Sequence, residues 1–347
     1  MSSPQTPPTD LAPELQVYAL RNAQGVTAEI NNFGARITRL CVPDRNGHLA
    51  DVVLGLPTPG HYRELPETFF GATIGRFANR IAGARFILDG IPHQLPRNQA
   101  PNHLHGGDQG FHRQLWTLRS AAEEAVELEL HSPDQQEGYP GNLTVRVRFA
   151  LTQDNGLQID YWAVTDAPTP LNLTNHAFFN LRGAGHPDLQ GHSVQIDAAH
   201  FHPLGPGNLP TGATQAVGGT PFDFRTPADL NARLATSHPQ LTAGRGFDHN
   251  FVLNGTGLRK VTQVTDQGSG RTLEVWTDLP GMQFYSGNFL DGTVLGKSGV
   301  HYPRRSAFCC ETQHFPDNLN QAAFPASILR PGEIYRSTSI YRFGTVS

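Results

Sequence analysis

Thr144-Val145-Arg146-Val147-Arg148-Phe149 alternates polar and apolar residues without a break. Val126-Glu127-Leu128-Glu129-Leu130 does the same upstream, and Leu273-Glu274-Val275-Trp276-Thr277 downstream. In an extended chain successive side chains leave opposite faces, so each run offers one face to a core and the other to solvent. Turn signals punctuate the runs at Asp44-Arg45-Asn46-Gly47, Asp89-Gly90, Asp154-Asn155-Gly156 and Asp291-Gly292. The segment 151–157, between two alternating runs, predicts a hairpin. Helical signals are few. Thr226-Pro227-Ala228-Asp229 ahead of Leu230 and Leu234 predicts one short helix, capped by the Thr226 hydroxyl with Pro227 at its first position. Many strands and little helix predict an all-β fold, a large antiparallel β-sandwich of packed sheets.

Composition agrees and excludes other classes. The chain has 347 residues, of which only 16% are charged, and it carries 36 Gly and 27 Pro with no collagen period. Coiled coils and charge-driven disorder are excluded. The net charge is −4 and no basic run occurs, so neither nucleic acid nor a membrane surface is an expected partner. Three cysteines, two of them the neighbours Cys309 and Cys310, make no disulfide framework. The first residues, MSSPQTPPTDLAPE, lack the basic start and apolar core of a signal peptide, and no apolar run reaches ~18 residues. The expectation is a cytoplasmic chain: a mobile Pro/Thr-rich tail at 1–13, then one domain over 14–347.

Chemistry-bearing residues sit in separate clusters. Arg76, Asn79 and Arg80 fall within GRFANRIAGARF (75–86), where guanidinium forks suit hydroxyl or carboxylate oxygens as readily as solvent. His103 and His105 in NHLHGG (102–107) would share one side of a strand, a metal-ligand spacing that also occurs in structural histidines. His176 lies among Asn and Phe in LTNHAFFNLRG (173–183), a wall suited to sugar hydroxyls and C–H faces or to a hydrogen-bonded core histidine. Asp248 in FDHNF (247–251) could orient a hydroxyl or close a turn. Gln283 and Tyr285 stand in LPGMQFYSGNFL (279–290). Glu311 opens ETQHFPDNLNQ (311–321) behind an apolar run, so it is expected at a strand end, where burial would raise its basicity.

Taken in order, these segments closely resemble the aldose 1-epimerase (galactose mutarotase) family, together with NFGARITRLCVPDRNG (32–47) and EGYPGNL (137–143). The resemblance spans nearly the whole chain after the tail. It implies a fold of stacked antiparallel sheets and interconversion of the α- and β-anomers of hexoses such as galactose and glucose, with no cofactor and no metal. Carried over by motif, Glu311 matches the general base and His176 the general acid. Asn79, Arg80, His105, Asp248 and Gln283 match residues that hold sugar hydroxyls, and His105 could also order the donor at the ring oxygen. The expected partner is a small-molecule aldose, handled by a monomer or homodimer.

Three other readings compete. A metal enzyme would use His103, His105 and Glu311 as ligands. A silent sugar sensor on the same fold would bind without turning over. An epimerase of a phosphorylated aldose would want extra cations, for which Arg76 beside Arg80 is the candidate.

Overall fold

The computed structural model describes residues 14–346, so the expected tail at 1–13 lies outside the described residues. Antiparallel pairing organises the main sheets. Nine strands form the largest, in the order Thr117–Ala121, Ala125–Ser132, Leu143–Leu151, Gly156–Thr165, Tyr335–Thr345, Arg271–Thr277, Arg259–Asp266, His192–Ile196 and Ala228–Asp229. Val17–Arg21, Thr27–Asn31, Arg36–Pro43 and Leu49–Asp51 make a four-stranded sheet. A five-stranded sheet runs Gln215–Ala216, His200–Phe201, Asp248–Val252, Gly281–Tyr285 and Cys309–Gln313. One apolar cluster joins all three, from Leu20 and Ile37 through Val145 and Val275 to Phe284 and Phe343. This is the stacked β-sandwich that the alternation predicts.

The alternating runs behave as read. Val126 and Leu128, Val145 and Val147, and Leu273 and Val275 are buried in this core. Glu129 is the exception: it is on the outward set yet buried, because Arg146 Nε donates to it at 2.6 Å while Arg119 and His131 crowd its other oxygen. The hairpin over 151–157 forms, with Asn155 in the left-handed region at φ 61°. Asp89-Gly90 links Arg85–Leu88 to Ile91–Gln94 with both φ values positive, at 50° and 81°, as a tight primed turn requires.

The helix forms one turn later than its sequence signal. It spans Leu230–Leu234, and its cap is Asp229, whose carboxylate accepts the Ala232 N–H at 2.7 Å. Thr226 and Pro227 are displaced from the cap because Ala228–Asp229 pair with Ser193–Val194 as an edge strand. Further short helices form at His61–Glu64 and Pro239–Ala243; the second has Pro239 at its first position and is capped by the His238 ring, which accepts the Gln240 N–H. Among the described residues no helix is long and apolar enough to cross a membrane.

Candidate active site

Three neighbouring strands of the five-stranded sheet build the site by register. Glu311 lies opposite Gln283, Gln283 opposite Asn250, and Tyr285 opposite both Cys309 and Asp248. Facing residues share a side, so Asp248, Gln283, Tyr285, Cys309 and Glu311 project from one face. The other face sends Phe251, Met282, Phe284 and Cys310 into the core. Cys309 and Cys310 thus point apart, and all three cysteines are free thiols. Glu311 is not at a strand end. Its strand continues through Thr312 and Gln313, which pair with Met282 and Gly281, and this places the carboxyl mid-strand at 2% exposure.

His176 reaches Glu311 from a different element. The short pair of Thr174–Asn175 with Thr73–Ile74 ends there, and the His176 main chain bonds to Ala72 O and Gly71 N. Its Nε2 lies 3.7 Å from Glu311 Oε2, an oxygen buried with no hydrogen-bond partner. The expected acid and base therefore meet across a cavity of about 470 Å³. Asn79, Arg80, Gln99, His105 and Asp248 line the same cavity, with Phe178, Tyr285 and Phe289. Its size falls within the ~300–1,000 Å³ usual for small-molecule sites.

The polar wall is preassembled. Arg80 Nε donates to Gln99 Oε1 at 2.7 Å, and its Nη1 lies 3.7 Å from Asp248 Oδ2. Asp248 also accepts from Gln283 Nε2 at 2.8 Å and from Asn208 Nδ2 at 3.4 Å. Gln283 is therefore set behind Asp248 and does not line the cavity, whereas its sequence expectation was direct contact with sugar. Asn79, at φ 64°, accepts the Arg80 N–H at its side-chain oxygen, which leaves its NH₂ end for a ligand. Gln99 and Asn208 carry no signal in the sequence, because no motif surrounds either of them.

The two histidines of NHLHGG separate. His105 takes φ 52° and leaves the strand His103–Leu104, so the same-side geometry expected of His103 and His105 is lost. His103 turns inward, its Nδ1 at 2.8 Å from Pro96 O and its Nε2 at 2.9 Å from the Tyr139 hydroxyl. Gly106 permits the bend: at φ 82°, a Cβ there would stand 1.9 Å from Gly75 O. Arg76 also leaves the site. Its guanidinium binds Ser132, Pro140, Gly141 and Thr169, tying down the loop that carries EGYPGNL.

His105, His176 and Glu311 bring three possible metal-ligand atoms within 4.8 Å of one another. The hydrogen bonding of His105 opposes that use. Its Nδ1 accepts the Asn79 N–H at 3.2 Å, so the proton of the neutral ring sits on Nε2. The ring presents a donor to the cavity where a metal needs a lone pair.

Burial sets the protonation of the pair. Desolvation, reinforced by Asp248 and opposed by Arg80, pushes the Glu311 carboxyl well above the usual carboxylate range. Desolvation lowers His176 to about 3, against a ring hydrogen bond to its own carbonyl that favours the charged form. Both shifts act against the charged forms of the pair.

The sequence profile of the family described as Aldose 1-epimerase matches residues 16–342, which decides the affiliation. The chain belongs to the aldose 1-epimerase family. Among its relatives, the galactose mutarotase of Rattus norvegicus is 46% identical over 331 residues, covering 95% of this chain and 94% of that protein. The aldose 1-epimerase of Escherichia coli K12 is 36% identical over 340 residues, covering 96% and 97%. A GalM/aldose epimerase homologue from C. elegans superposes with a TM-score of 0.90 at 31% identity, covering 96% of this chain and all of that one. As an aldose 1-epimerase family member, the chain has the all-β architecture of these neighbours.

Proposed function

We propose that this chain interconverts the α- and β-anomers of free aldoses, hexoses such as galactose and glucose among them, by general acid/base catalysis. The approach of Glu311 to His176 across the cavity carries the reading. Glu311 takes the proton of the C1 hydroxyl as His176 Nε2 delivers one to the ring oxygen, and the C1–O5 bond opens to the aldehyde. After rotation about C1–C2, closure on the other face returns both protons, with Glu311 as acid and His176 as base. Opening needs the pair's proton on His176 and leaves it on Glu311, and closure returns it, so one proton serves both halves. A sugar hydroxyl on Glu311 Oε2 supplies the partner this oxygen lacks and so favours the carboxylate.

Arg80 and Asp248 hold hydroxyls away from C1, which leaves C1–C2 free to rotate. Among the described residues Arg80 is the only Lys or Arg lining the cavity, against Glu67, Asp248, Asp291 and Glu311, and this balance disfavours a phosphorylated aldose. The pairing of two proton-transfer groups disfavours a silent sensor, which needs neither. One apolar cluster running from Leu20 to Phe343 supports reading 14–347 as one domain.

Polarimetry of freshly dissolved α-galactose or α-glucose tests the reading. Rotation is expected to relax faster in proportion to protein added; relaxation at the spontaneous rate contradicts it. Arg80→Ala is expected to raise KM about tenfold or more, with a smaller change in kcat, because a charged hydrogen-bond donor is lost. Arg80 holds the Glu311 carboxyl down, so this variant should also move the alkaline limb of the pH–rate profile upward.

A further inference from the structure

An acid at His176 must carry a positive charge in a cavity whose burial opposes it. The side chains packed on the ring supply what solvent does not. Phe69 and Phe178 both lie nearly parallel to the imidazole, each at an interplanar angle of 16°, with centroids 5.7 and 4.9 Å away. Phe69 packs against His105 and His112, whereas Phe178 packs against Phe70 and Tyr285, so the two rings tie the imidazole to different neighbours. Phe69 holds φ 54°, a conformation uncommon for a bulky residue and found where the surroundings dictate it. On the ring edge away from Glu311, the Cys309 sulfur lies 3.5 Å from Nδ1.

We propose that Phe69, Phe178 and Cys309 are positioning residues for His176, the phenyl rings stacking on the imidazole and the sulfur holding its Nδ1–H, so that Nε2 alone exchanges protons. This rests on the acid role given to His176 above. The negative faces of the phenyl rings favour the imidazolium over the neutral ring. Nδ1 faces the sulfur at 3.5 Å, and a sulfur that accepts there keeps the Nδ1 proton in place in either charge state. Cys309 can accept without ionising, since burial and the neighbouring Glu311 push its thiol well above the ordinary value. The other groups facing His176 are Glu311 at 3.7 Å, the His105 ring at 5.3 Å and the Tyr285 ring edge at 6.3 Å. The charge of Arg36 opposes the imidazolium, and His112 adds like charge when protonated.

The test combines kcat and KM for anomer exchange with ¹⁵N shifts of the His176 ring. Phe178→Leu keeps the bulk but removes the π-face, and kcat is expected to fall about five- to thirty-fold with KM little changed. Phe69→Leu should lower kcat less, its ring being more distant, and Phe69→Tyr should restore most of that loss. Cys309→Ala should raise the Nε2–H tautomer population of neutral His176, and Cys309→Ser should bring Nδ1–H back. Wild-type kcat in both leucine variants, or a rise in KM alone, overturns the proposal, provided His176→Asn is inactive. A fully active His176→Asn overturns the acid role itself.

Discussion

Glu311→Gln is expected to lower kcat by more than about 10²-fold while leaving the fold intact. The amide matches the carboxyl in size and keeps the strand register opposite Gln283, yet it can neither take nor return a proton. Stability should respond in the opposite sense to activity. The folded chain holds the Glu311 proton to a higher pH than the unfolded chain does, because burial raises the carboxyl. Its contribution to stability is therefore complete below the ordinary carboxylate range and declines as pH rises through the raised value. Glutamine has no such dependence, so the variant should melt at or above the wild-type temperature at neutral pH. Near-full activity in a folded Glu311→Gln protein would remove the base assignment.

His176→Asn should produce a loss of the same order. Asparagine retains a hydrogen-bond donor but has no protonated form that could act as an acid, so proton delivery to the ring oxygen falls to water. Arg80, Asp248 and Asn79 remain to hold the sugar, and KM should change far less than kcat. The contrast with Arg80→Ala, whose main effect is on KM, separates transfer from binding. A His176→Asn protein that binds aldose but relaxes its rotation at the spontaneous rate is the expected result.

Strand positions were legible because burial in a sandwich alternates with the side-chain direction, as at Val145, Val147 and Phe149. Local signals misled where a tertiary contact was stronger. Thr226 lost the helix cap to Asp229 once Ala228 joined a sheet edge, and Glu129 went inward because Arg146 waits beside it. At the site, the residue types of Glu311, His176, Arg80 and Asp248 were informative, but the family resemblance was what placed them together. Their proximity comes from the register of three strands and from two earlier segments, which carry His176 and Arg80, and no local pattern encodes that. For the same reason the support of Asp248 by Gln283 and Asn208, and of Arg80 by Gln99, appears only in three dimensions. His103 and His105 show the limit of spacing rules: one left-handed residue sends two histidines of a His-x-His to different surroundings.

The most direct measurement is the exchange rate between the two anomers of an aldose at equilibrium, followed by NMR, for Glu311→Gln, His176→Asn and the double variant. If the carboxyl and the imidazole pass protons in concert at one pyranose, losing either disables the other. The double variant should then fall within a few-fold of the slower single one. Losses that multiply, or a single variant that exchanges as fast as the wild type, would mean that the two groups do not act as a pair.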